Sequence, residues 1–172
     1  MRAALGGVVA LLIACHEKPS PPAVPPAPNK QAELIQQAEA VALKHAAQAP
    51  FCGSPVEVFS GSIEVAATGY EGATELDRVV TKAERVSFTL DYPFEKPFAG
   101  TVIAPITLRR IVDAIRAGFR TMYEGAEQRD IPGLMNKDVR GVYGRSFHAI
   151  GDLVIESVQL CADGRLDIDI GS

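Results

Sequence analysis

Hydrophobic positions along the 172-residue chain change their spacing several times, and each change marks an element. Leu5 to Ala14 is continuously apolar. Over about 31 to 48, Leu34, Ile35, Ala38, Val41, Ala42 and His45 form one stripe at three- and four-residue intervals. That spacing predicts a helix capped by Asn29 and stopped at Ala49-Pro50. Val56 to Ala67 is rich in β-branched residues, but its apolar parity slips around Ser60-Gly61-Ser62, which predicts a tight hairpin or a bulge. Leu76, Val79, Val80 and Ala83 suggest a short helix over 74 to 83. Arg85 to Tyr92 alternates strictly, with Val86, Phe88, Leu90 and Tyr92 on one face of a half-buried strand.

The strongest signal is a helix over about 107 to 124. Leu108, Ile111, Val112, Ile115, Phe119, Met122 and Tyr123 make its apolar stripe, Thr107 caps it and Gly125 ends it. A polar loop containing Pro132-Gly133 follows. The last two runs form a hairpin whose register is legible. A two-residue Asp163-Gly164 turn would set Val158 and Leu160 against Asp169 and Asp167. A three-residue Ala162-Asp163-Gly164 loop instead pairs Leu160 with Leu166 and Val158 with Ile168, leaving Ser157, Gln159, Asp167 and Asp169 on the other face. Segregation of apolar from polar side chains favours the second register, with Gly164 left-handed. It also carries Glu156 to the apolar face, opposite Ile170. The whole reads as an α+β fold: an antiparallel sheet packed against one long helix, with a further N-terminal helix.

Charge and composition add location. With 17 basic and 21 acidic residues the formal net charge is −4, which disfavours nucleic acid as a partner. The apolar run at Leu5–Ala14 rises about 15 Å as a helix, too short to span a bilayer, and fits a secretory signal. It ends in Leu12-Ile13-Ala14-Cys15, which resembles the lipobox of bacterial lipoproteins. The resemblance covers this N-terminal stretch alone and implies cleavage before Cys15, which would then carry the lipid, palmitate included. Residues 1–14 are therefore expected to be a signal peptide, 15–29 a lipidated cysteine with a Pro-rich tether, and 30–172 one globular domain. Removing residues 1–14 takes away one Arg and no acid, so −4 becomes −5. The Pro-rich character continues to about residue 32, with six of the chain's 12 prolines, and favours an extended spacer of about 40 to 50 Å. His16, rather than Asp, follows the cysteine; by analogy with lipoprotein sorting this points to the bacterial outer membrane, facing periplasm or cell surface.

In an oxidising compartment Cys52 and Cys161 are left as a disulfide pair once Cys15 is lipidated. The competing reading makes one of them a nucleophile near His148, without a surrounding signature.

Candidate chemistry concentrates in Gly141 to Asp152. His148, Asp152 and Glu156 are candidates for general acid–base work, or for mixed nitrogen and oxygen ligation. A hydrogen-bonded structural histidine with solvated carboxylates explains the same residues more simply. Asp167 and Asp169 lie about 7 Å apart on one strand face, where alternation already accounts for them. Arg109, Arg116 and Arg120 cluster on the long helix around Asp113 and offer an anionic-partner surface, or a solvated face. No nucleophile elbow, phosphate loop, zinc spacing or dinucleotide fingerprint occurs, so no cofactor and no metal is expected. The expectation is an envelope lipoprotein presenting a small non-catalytic domain that binds a protein, glycan or lipid. The alternative is a small envelope hydrolase using His148 with Asp152 or Glu156.

Overall fold

The computed structural model describes residues 52–172, together with Ala32, Glu33, Gln36, Gln37 and Ala40. Those five positions are helical and exposed; the rest of the expected N-terminal helix, the signal run and the tether lie outside the described residues.

The fold is α+β, built mainly of strands. Its largest sheet has the order β1–β9–β10–β3–β4, formed by Val56–Glu64, Val154–Leu160, Arg165–Gly171, Arg85–Leu90 and Phe98–Ile103. Two short strands, β2 (Val79–Thr81) and β5 (Ile106–Thr107), pair with each other. A third sheet contains β6 (Glu127–Asp130), β7 (Lys137–Gly141) and β8 (Gly144–Ser146). One long helix, α1 (Leu108–Tyr123), packs across β4 and β3 on one face of the large sheet.

Helix α1 forms where its periodicity requires. The Thr107 hydroxyl accepts from the Arg110 amide, and all seven stripe residues from Leu108 to Tyr123 are buried. Gly125, at φ 68°, follows the cap residue Glu124. Facing α1, strand β3 buries Val86, Phe88 and Leu90 and exposes Arg85, Ser87 and Thr89.

The large sheet is mixed rather than antiparallel throughout. Strand β10 runs antiparallel to β9 but parallel to β3. The hairpin enters the sheet between β1 and β3, so the direction of β10 is set by β9 and its second neighbour must accept it.

The hairpin register is the one that segregates polarity. Leu166 pairs with Leu160, Asp167 with Gln159, Ile168 with Val158 and Asp169 with Ser157, and Gly164 has φ 81°. Beyond Ser157 the register shifts, and Ile170 pairs with Ile155. Glu156 is thus an extra residue on β9, and the expectation that it faces the core is overturned. A bulge places consecutive side chains on the same side. Glu156 joins Ser157 on the outer face, exposed, with its carboxylate over Gly171, where a Cβ would come within 2.1 Å of Oε1.

Bulges also resolve β1. The parity slip is not a hairpin: β1 is one strand with register shifts between Glu57 and Phe59 and between Ser60 and Ile63. The first lets Val58 and Phe59 both point inward, each 6% exposed.

Two elements depart from expectation. Residues 74 to 83 hold no helix; Val79 and Thr81 pair with Thr107 and Ile106. A run of Val79, Val80 and Thr81 suits an extended backbone once β5 supplies a partner. The loop after α1 contains a hairpin, in which Glu127, Arg129 and Asp130 oppose Arg140, Asp138 and Lys137. Four exposed polar residues carry no apolar alternation, and opposite charges across the strands stabilise the pairing instead.

Candidate functional site

Cys161 is 3% exposed and bonded to Cys52, with their Cα atoms 5.2 Å apart. The bridge joins the entry of β1 to the end of β9, and neither sulfur is available as a nucleophile. The Cys161 amide donates to the Arg165 carbonyl and closes the hairpin loop, while the Ala162 amide donates to the Gly53 carbonyl and ties that loop to the Cys52 segment beside the bridge.

His148 lies between β8 and a single 3-10 turn, Ile150–Asp152. Its backbone is heavily engaged: its amide donates to Ser146 Oγ, and its carbonyl accepts from Ser146 Oγ at 3.1 Å and Tyr123 Oη at 2.8 Å. Ser146 is fully buried, so these bonds satisfy a hydroxyl with no access to water. The imidazole is half-buried, 5.7 Å from the Tyr92 ring, and the Tyr92 hydroxyl meets that of Ser172 at 2.7 Å. Burial holds the His148 pKa below its ordinary value, only partly opposed by the Asp152 carboxylate. Burial likewise pushes the Tyr123 hydroxyl upward.

The three acid–base candidates are engaged differently, with the Asp152 carboxylate near enough to act on the His148 imidazole. Asp152 turns its carboxylate onto the Ala149 amide at 2.8 Å, capping the 3-10 turn. Glu156 lies on the outer face of the large sheet, beyond the bulge. Arg145 nearby grips Asp138 at 2.7 and 3.1 Å, stacks over Phe147 and donates to Gln37. Among the described residues no group of three His, Cys, Asp or Glu side chains is placed to hold a metal ion. An open depression of about 470 Å³ is lined by Arg120, Thr121, Tyr123, Glu124 and Ile150.

A pH dependence follows from His148. Its folded pKa is depressed, so the folded state binds fewer protons than the unfolded one as pH falls through histidine's ordinary range near 6.5. The His148 contribution to stability is complete above that range and is lost as pH drops below it. Urea midpoints at pH 7.5 and 5 should fall more for the natural chain than for His148→Gln. Identical pH slopes would show that the imidazole is not desolvated.

The three candidate arginines of α1, Arg109, Arg116 and Arg120, do not form one surface. Arg116 is 2% exposed; it donates to the Glu64 carbonyl at 3.2 and 2.7 Å and to the Gly69 carbonyl at 2.6 Å. Arg109 is paired with Asp77 through two hydrogen bonds, of 2.8 and 3.0 Å, which raise its pKa and lower that of Asp77. Both guanidiniums lie over the Tyr70 ring, at 4.9 and 5.1 Å, while the Tyr70 hydroxyl donates to Asp113. Arg120 is exposed at the depression beside Glu124, and Arg109 is partly exposed in its pair with Asp77. Two of the three cations thus fasten the 65–78 loop to α1. Tyr70 carried no pattern in the sequence, because its partners come from a helix some forty residues later.

Asp167 and Asp169 occupy the outer, solvent-facing side of the large sheet with Ser157 and Gln159, as alternation requires. Among the described residues no helix is long and apolar enough to cross a membrane. No family model, no curated protein and no solved structure matches this chain.

Proposed function

We propose that the chain is a bacterial envelope lipoprotein, anchored in the outer membrane through lipid on Cys15, that presents a small non-catalytic binding domain on a Pro-rich tether. The observation carrying this reading is Leu12-Ile13-Ala14-Cys15 at the end of a short apolar run, followed directly by the proline-rich stretch. The Cys52–Cys161 bridge supports it, since disulfides persist in oxidising compartments such as the bacterial periplasm. A binding role is favoured over hydrolysis by the engagement of the candidate groups. The Asp152 carboxylate caps a turn, the His148 main chain is locked by Ser146 and Tyr123, and Glu156 is exposed at the bulge in β9. The partner is an envelope protein, glycan or lipid.

The test is Cys15→Ser in the full chain. The natural sequence should incorporate labelled fatty acid and sediment with membranes, because each buried acyl CH₂ contributes about 0.8 kcal/mol and several chains together hold essentially permanently. The substituted chain should take up no label and appear in the soluble fraction. Unchanged labelling and sedimentation would refute the lipobox.

A further inference from the structure

We infer that the free edge of the large sheet, strand β4, is a self-complementary surface that pairs antiparallel with β4 of a second copy of this chain. The two edges of the sheet are built differently. Strand β1 is interrupted by two bulges and carries Glu57 and Glu64, which are the usual devices that discourage strand addition. Strand β4 reads Phe98-Ala-Gly-Thr-Val-Ile103, with no charge, no proline and no register shift along its pairing with β3. Among the described residues it is the last strand of the sheet, with β3 on one side and α1 over one face.

The hydrogen-bond parity fixes which groups look outward. The Ala104 amide donates to the Glu84 carbonyl, and the register from there aligns Val102 with Val86, Gly100 with Phe88 and Phe98 with Leu90. In an antiparallel ladder these alternate pairs exchange the bonds to β3, so the amides and carbonyls of Ala99, Thr101 and Ile103 point to the open edge. Their side chains are exposed on the outer face, and Ile103 is 66% exposed, an apolar side chain without cover.

A two-fold axis through Thr101 uses every one of these features. It sets Ala99 against the partner's Ile103, Thr101 against the partner's Thr101, and Ile103 against the partner's Ala99. Each of the three residues exchanges an amide and a carbonyl bond with its mate, and the exposed Ile103 gains an apolar neighbour. Pro97 falls opposite the partner's Pro105, so the paired window is closed at both ends by residues that cannot extend the ladder. A charged edge would set like charges face to face across such an axis; this one has none. The interface is isologous and closes on itself, which limits the assembly to a dimer rather than a fibre. Six paired residues bury little surface, so the dimer is expected to be reversible at micromolar concentrations.

The experiment is equilibrium sedimentation of the purified full chain in density-matched detergent, combined with cysteine placement. The natural chain should shift from monomer to dimer mass with rising concentration. Thr101→Pro removes only an outward-facing amide from each copy and should shift the dimer dissociation constant upward at least about 5-fold, since two hydrogen bonds are lost across the axis. Under mild oxidation, Thr101→Cys should give a covalent dimer, because position 101 meets itself. Ile103→Cys alone should not, because its two copies lie about 13 Å apart along the paired strands. Should the proline variant fail to fold, the cysteine comparison decides alone. A natural chain that stays monomeric at every concentration overturns the proposal. So does a dimer unaffected by Thr101→Pro, or covalent dimer in equal yield from positions 101 and 103.

Discussion

Replacing Cys52 and Cys161 together by alanine should lower the unfolding free energy by about 4 to 5 kcal/mol, the largest single effect expected in this domain. The bridge spans a sequence separation of 109 residues and encloses β1 to β9 and α1. In the chain-entropy view, that loop removes many conformations from the unfolded ensemble and none from the folded one. The sulfurs also lie where the fold is otherwise thin. The hairpin loop at Ala162 is exposed, and beyond the bridge its main-chain link to the entry segment is the Ala162 bond to Gly53, at 3.4 Å. Urea unfolding of the exported chain, compared with the double alanine variant, measures the difference. A loss below about 1 kcal/mol would mean that the unfolded chain is already compact enough for the bridge to constrain little.

Arg116→Leu should cost about 3 to 4 kcal/mol, as a consequence of bonds that no other group can replace. Three donor contacts run from the guanidinium to two main-chain carbonyls, and a hydrogen bond to a charged group contributes about 1.5 to 3 kcal/mol. Removing the donors strands the Glu64 and Gly69 carbonyls beside an apolar side chain. Water cannot fully repair this, because Arg116 is 2% exposed. Lysine in its place reaches with a single point charge and should recover only part of the loss. The damage should be local before it is global: the 65–78 loop, which also holds Tyr70 over both guanidiniums, should lose amide-exchange protection ahead of the sheet. Combining Arg116→Leu with Tyr70→Ala should cost less than the sum of the two, since they remove one shared contact. Strict additivity, or an Arg116→Leu loss below about 1 kcal/mol, would show that the loop is held by something else.

Some of the molecule is legible from neighbours alone. The stripe of α1, its Thr107 cap, the alternation of β3 and the polarity-segregating register of the last hairpin depend on residues a few positions apart, and the structure keeps all four. The Cys52–Cys161 pair follows from having two cysteines left to pair once Cys15 is set aside. The parity slip in β1 announced an irregularity, although whether chain reversal or bulge was undecided until β9 lay beside it.

The rest depends on partners distant in sequence. Val79–Thr81 became a strand because Ile106–Thr107 lay alongside it, and Glu127–Asp130 became one because Lys137–Arg140 supplied opposite charges. The placement of Glu156 changed for the same reason. A one-residue bulge turned Glu156 from the core to the outer face, and an acidic side chain tolerates that exchange easily because it avoids burying an unpaired carboxylate. Arg116 reads as one of the three arginines singled out for an anionic partner, yet it donates to main-chain carbonyls some fifty residues earlier in the chain. By itself the sequence determined the periodic elements and the pairing of the cysteines, properties of local spacing and residue type. The tertiary structure alone decided which strands meet, in which direction, and which charges are buried, because those depend on desolvation and on hydrogen-bond partners brought together only when the chain closes on itself.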